Sequence, residues 1–288
     1  MLDTLNNKYV QTGVTTGLVA GVMGTLYSQC GKTPGNEYMK YYLPISTSAT
    51  LLMPTLSKHV FQPATHYAAS LITSNEKSVN SVVKFVDEAL NMTLLSLEMC
   101  SAYYGCMSNN ATANTFNAAL AFGALPELTC KIANGKLDNV LKDVGIAFTS
   151  ALAKKGLEQV MKDGLLHAGA LEDNAKGSYY NNKLTILVAS TLAGTITKDT
   201  LKGGDHTMFV KDAVASLTNN LLYDMAIVGQ GLNKTVGVHD FSRDVAEIAT
   251  IEILQPYLND IIFGSLGGGA PQEVILIPSI GIDGFLHN

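Results

Sequence analysis

The 288-residue sequence predicts a mainly α-helical fold: a helical bundle with a Gly-rich N-terminal helix, an irregular Pro/Tyr-rich segment and an extended C-terminal tail. Three observations predict it. Apolar residues recur at helical spacing over residues 74–99, 136–166 and 184–197. Phe209-Val-Lys211-Asp212 and Phe241-Ser-Arg243-Asp244 repeat one unit at a 32-residue offset, with Thr218 and Leu222 matched by Thr250 and Leu254. Only 15% of residues are charged, against roughly a quarter in soluble domains. The chain therefore has little charge with which to coat a water-facing surface, which points to contact with other subunits, with a membrane, or with both.

Four segments follow from the pattern: 1–73, the glycine helix and the Pro/Tyr segment; 74–173, an amphipathic helical unit; 174–266, helices containing the repeat; and 267–288, the tail. From Tyr9 to Gly31 no charged residue occurs for 23 positions, long enough for a bilayer span although Gln11, Thr12, Thr15, Thr16 and Thr25 dilute it. Gly13, Gly17 and Gly21, followed by Gly24, place a glycine zipper on one helix face. Glycine in an exposed helix costs about 1 kcal/mol relative to alanine. Such a row is explained by close approach of another helix, in lipid or in a tightly packed protein. Pro34, Pro44, Pro54 and Pro63 make residues 32–73 irregular, with Tyr38, Tyr41, Tyr42 and Tyr67 fitting either a membrane interface or packing under a loop. Residues 101–117 are an Asn-rich loop, and a short helix runs from Thr115 to Leu125 before Pro126. The 136–166 helix turns its charges to water. The early Asp212 and Asp244 suit the positive ends of their helices. Asp224, Glu247 and Glu252 would face a bundle interior if those helices spanned lipid; Asn219, Asn220 and Pro256 favour solvated positions instead. In the tail, Val274, Ile275, Leu276, Ile277 and Ile280 form a β-favouring apolar run suited to docking on a neighbour.

No motif assigns a catalytic, cofactor or metal role. Gly31-Lys32-Thr33 lacks the glycine that a phosphate loop needs five positions earlier, where Leu26 stands. No Gly-x-Ser-x-Gly elbow or Gly-x-Gly-x-x-Gly turn occurs, and Gly267-Gly268-Gly269 leads into Ala-Pro rather than a helix. Asp205-His206 and His239-Asp240 precede the two repeat copies and could bind a metal only if they converged; helix-start capping is the favoured reading. The four cysteines (Cys30, Cys100, Cys106, Cys130) are too dispersed for a disulfide framework; Cys100 and Cys106 could pair, and small buried side chains is the simpler reading. Sequons at Asn91, Asn110 and Asn233 match chance, and Met1–Lys8 lacks a secretory n-region. With a net charge of −5 and scattered basic residues, nucleic acid is not an expected partner, nor is a small-molecule substrate.

The glycine helix, the Phe209 and Phe241 units and the apolar tail together give the chain a style that resembles helical virion membrane or minor capsid proteins of large icosahedral DNA viruses. That resemblance implies a non-catalytic structural role, membrane-associated and within a virion, with neighbouring subunits and a lipid membrane as partners. It carries no residue role. The alternative is a small multi-spanning channel or transporter with Asp224, Glu247 and Glu252 along its path.

Overall fold

The structure, a computed structural model, describes residues 8–32, 37–108, 110–168, 176–204, 209–228 and 240–264. It is mainly helical, with no strand among the described residues. In chain order, α1 is Lys8–Gln29, α2 Met39–Leu56, α3 Gln62–Ser70, α4 Glu76–Gly105, α5 Ala111–Ala119, α6 Leu125–Ala133, α7 Val140–His167, α8 Lys176–Lys202, α9 Phe209–Val228 and α10 Asp240–Gly264. The tail residues Val274, Ile275, Leu276, Ile277 and Ile280 lie outside the described residues, as do Asp205, His206 and His239.

Helix α4 is central. It packs against α2, α3 and α10, and its C-terminal end meets α6 and the turn before it. Helices α7 and α8 pair along their lengths, α8 packs on α9, and α9 on α10. Asn side chains begin two elements: Asn75 accepts the Lys77 amide at 3.1 Å, and Asn110 accepts that of Ala113 at 3.0 Å. Gly135, at φ +66°, ends α6, where the Lys136 amide returns to the Lys131 carbonyl at 2.9 Å.

The expectation of irregular chain over residues 32–73 is corrected: α2 and α3 form one continuous rod across Pro44, Pro54 and Pro63. A π-helical turn, Ser57–Phe61, joins them, and Pro63 stands two residues beyond it. A proline inside an α-helix collides with the carbonyl four residues back and offers no donor. The wider π turn bonds one residue further back, which makes room for the ring. The same device occurs at Leu120–Ala124, followed by Pro126 at the second position of α6. So α5, the second π turn and α6 form one helical stretch where the sequence suggested a loop and a helix stopping at Pro126. Helix α4 likewise runs six residues beyond its expected end at Met99, to Gly105.

All five residues of the second π turn are buried, and Leu120, Phe122 and Leu125 join Leu26, Met39, Leu43, Cys100, Val144 and Ile248 in the main core. Packing there is closest at Gly123: a Cβ would stand 2.6 Å from the Ala147 carbonyl oxygen and 2.8 Å from the Ala151 Cβ. Gly105 is similarly pressed, with the Cys30 sulfur 2.4 Å from where a Cβ would stand. Beside Gly105, the Gly31 amide donates to its carbonyl at 2.8 Å and the Cys106 thiol donates to the Leu26 carbonyl at 3.2 Å. Cys106 therefore neighbours Cys30, not the Cys100 proposed from spacing, and all four cysteines are free.

Gly123→Ala should accordingly destabilise the fold by about 1–3 kcal/mol, because backbone oxygen cannot swing aside as a side chain would. Gly17→Ala, on open helix surface, should instead stabilise it by up to about 1 kcal/mol. Urea unfolding of the two variants beside wild type checks both signs.

Candidate functional site: an apolar groove and two buried polar clusters

Helix α1 carries the zipper, yet its glycines meet nothing: a Cβ on Gly13, Gly17, Gly21 or Gly24 would find no atom within 4 Å. The expected close-packed face is present in α1 but is unused among the described residues. Hydroxyls along this helix are turned inward, Thr16 donating to the Thr12 carbonyl at 2.8 Å and Thr25 to that of Gly21 at 2.7 Å. The exposed side of α1 is uncharged, made of its four glycines with Ala20, small hydroxyls and two tyrosines.

Gly17 and Gly21 open into a groove of about 500 Å³. Its walls are Val14, Leu18, Val22 and Thr25 from α1, Phe116, Leu120 and Ala124 from α5 and the second π turn, and Leu141, Val144, Gly145 and Phe148 from α7. Phe116 and Phe148 meet edge to face at 5.4 Å. Thr25 is the one polar residue of the lining, and its hydroxyl is already satisfied. Gly13 and Gly24 lie outside the groove. The arrangement offers shape and apolar surface rather than reactive groups.

Four of the charges predicted to face water on α7 are buried instead, while Lys142 and Asp163 are exposed as expected. Lys154 is fully enclosed, and Lys155, Glu158 and Lys162 are nearly so. Lys154 donates to the Asn220 side-chain oxygen at 2.5 Å, while the Asn220 amide donates to the Ser216 carbonyl at 2.7 Å. Lys155 and Glu158 pair at 3.2 Å. Asp212, in the first turn of α9 as expected, and Asp244, early in α10, are buried too, and the Tyr104 hydroxyl donates to Asp244. Burial and the nearby carboxylate hold the Tyr104 hydroxyl far above its usual range. The repeat thus matches two internal acids, one each on α9 and α10, where local spacing suggested only helix-end electrostatics.

The second cluster surrounds Glu98 on α4, which is fully buried. Thr129 of α6 lies 3.0 Å from its Oε2, and Thr47 and Thr50 approach from α2. The Thr129 hydroxyl also sits 3.0 Å from the Leu125 carbonyl. Its one proton is shared between that carbonyl and the Glu98 carboxylate, to which it donates. Burial pushes the Glu98 carboxyl up to about 7, against the partial relief of these hydroxyls. Glu252 of α10 is pushed up to about 7 by burial and is half-buried rather than freely solvated. Cys130 feels both acids as well as Glu127, and with its own burial is raised to about 12, a protonated and unreactive thiol at neutral pH. Glu98 stood in a helical apolar run without a neighbouring charge in sequence; its lack of an i±4 partner was the only available signal.

Asp224 and Asp240 lie on described backbone in α9 and α10, whereas the convergence of Asp205-His206 with His239-Asp240 falls outside the described residues. Among the described residues no three His, Cys, Asp or Glu side chains gather as a metal site. Comparison with protein-family profiles, with curated proteins and with solved structures returned no match.

Two measurements follow from the buried clusters. The folded Glu98 and Glu252 values lie above the ordinary 4.5, so the folded state keeps protons that the unfolded chain releases. Their stabilising contribution is fully present below pH 4.5 and declines as pH rises to about 7, by on the order of 3 kcal/mol for a fully buried carboxyl. Thermal melts from pH 5 to 8 should show this decline, and Glu98→Gln should remove more of it than Glu252→Gln, since Glu252 keeps some exposure. Separately, Lys154→Ala should cost about 3 kcal/mol, because it strips the donor from a buried amide oxygen and breaks a charged cluster. Denaturant titration reads that loss directly.

Proposed function

We propose that the chain is a non-catalytic structural part of a larger assembly, such as a virion, and that it joins neighbouring subunits through the groove between α1 and α7. The carrying observation is that groove, open, apolar and floored by glycines whose missing side chains leave room for another backbone. An amphipathic helix laid into an apolar groove is a recurrent mode of subunit recognition, with the apolar face as anchor. Low overall charge supports the same reading, since surfaces held against other subunits need no charged coat. The buried ionic clusters, with Lys154 bonded to Asn220 and Lys155 paired with Glu158, support a rigid helical scaffold.

Among the described residues no helix is long and apolar enough to cross a membrane. The glycine helix therefore serves this reading as a docking wall rather than as a span, and the alternative of a channel or transporter retains only the burial of Glu252, on a helix not apolar enough to span.

Gly17→Leu combined with Gly21→Leu fills the groove from an exposed helix face. The variant should fold with wild-type stability, and crosslinks from α1 and α7 to neighbouring subunits, present in the native assembly, should disappear. Crosslinks that persist in the filled variant, or their absence from the wild-type assembly, would refute the reading. Uptake of a small apolar dye that the variant loses, with no subunit contact in either protein, would reassign the groove to a small ligand.

A further inference from the structure

Cys30 and Cys106 each stand one residue beyond a helix, α1 in the first case and α4 in the second. The two helix ends are tied together through backbone. The Gly31 amide donates to the Gly105 carbonyl at 2.8 Å, a bond one residue removed from each cysteine. Leu26 joins them again, its carbonyl accepting the Cys30 amide at 2.9 Å and the Cys106 thiol at 3.2 Å. The Cys30 sulfur lies against Gly105, in space that a side chain there would need. It is also in hydrogen-bonding contact with the Cys106 thiol. A disulfide requires Cα atoms about 4.4–6.8 Å apart and side chains that face each other. The shared backbone bond brings the two chains to that spacing, and the thiol contact meets the second condition.

Surroundings separate these two sulfurs from the other two. Contact with the Cys106 thiol holds the Cys30 thiol below its ordinary range, against its own burial, and pushes Cys106 up. Burial keeps Cys100 and Cys130 protonated, Cys100 well above its usual range and Cys130 at about 12. Thiolate character therefore gathers on Cys30. That residue is also the less enclosed of the pair, 7% exposed against 1% for Cys106, and the exposed Lys32 follows it closely. With so little opening, only a small oxidant reaches the pair.

We propose that Cys30 and Cys106 are a modification site, a dithiol that hydrogen peroxide converts to a disulfide fastening the end of α1 to the end of α4. The Cys30 thiolate attacks one peroxide oxygen and the O–O bond breaks. The departing hydroxide takes up the proton Cys30 released, giving water, and Cys30 becomes a sulfenic acid. The Cys106 sulfur then attacks the Cys30 sulfur, and its proton leaves with the sulfenic hydroxyl as a second water. Two thiols lose two electrons, one peroxide becomes two waters, and one S–S bond replaces two S–H bonds. The bond closes a long loop, the kind whose closure most restricts the unfolded chain. Helix α1 is lightly packed against α4, α6, α7 and the second π turn, so a covalent tie at its end also fixes one wall of the groove. This inference is independent of what occupies that groove.

Reduced full-length protein, freed of reductant and kept folded, is treated with a small excess of hydrogen peroxide. Wild type should lose two of its four thiols, counted with a thiol reagent after denaturation. Peptide mapping should recover Cys30 joined to Cys106, and dithiothreitol should restore all four thiols. The oxidised protein should melt on the order of 5 °C above the reduced one. Cys106→Ser should leave Cys30 as a sulfenic acid that dimedone captures, whereas Cys30→Ser should leave Cys106 unreacted. Cys130→Ser should form the bond at wild-type yield. Four thiols surviving in folded wild type, a bond mapped to another pair, or a disulfide that forms only once the chain is unfolded overturns the proposal. An oxidised protein that melts no higher than the reduced one overturns the fastening of α1. The wild-type mapping decides the site whatever the serine variants do to folding.

Discussion

Between residue 123 and the Ala147 carbonyl there is no space for a methyl group, and much of the bundle is arranged around that fact. The second π turn can lie on α7 only as closely as Gly123 permits, and this approach buries Leu120, Ala121, Phe122, Ala124 and Leu125 together. With the turn seated, α6 is aimed so that Thr129 meets Glu98 on the central helix. Phe116, at the other end of the same stretch, is brought beside Phe148 as a wall of the groove. A core contact thus positions both a buried carboxyl and an outward-facing cavity.

Charge in this protein is scarce, and an unusual share of it is inside. Lysines and acids on α7, α9 and α10 are enclosed among one another and among amides. Buried ionic groups of this kind give little net stability, but each requires its partners in place. Lys154 requires Asn220, and Asp244 is met by Tyr104 from α4. They therefore discriminate among ways of packing helices whose apolar faces alone are interchangeable. Meanwhile α1 and the α2–α3 rod present surfaces with almost no charge to water.

Helical periodicity made α4, α7 and α8 legible as elements, because one side of each meets the core through residues three and four apart. The limits of α4 and α5 were misjudged where polar Asn-rich chain stays helical by capping from Asn110. Residues 39–70 were missed for a different reason. Only Pro63 follows a π turn; Pro44 and Pro54 sit inside the α-helix itself, so the rule that proline ends a helix was overridden there by the packing of the rod against the bundle. The glycine row was legible as a helix face. Whether that face is filled is a tertiary fact, as is the burial of Lys154 or Glu98, since nothing within four residues of either distinguishes an inner side chain from an outer one. The groove was not legible at all, because its walls come from three separated stretches of chain.

A π turn is, in terms of chain length, a one-residue insertion that the helix has absorbed instead of expelling as a loop. Two such insertions are present, each just ahead of a proline. Loss of one residue from Ser57–Phe61 would restore ordinary winding upstream of Pro63, return the clash with its ring, and rotate everything beyond by about a quarter of a turn. Insertion and proline are consequently tied: neither can be discarded alone without cost. Related chains that lack the extra residue should also lack the proline, and the pair would be gained or lost together as a single evolutionary character.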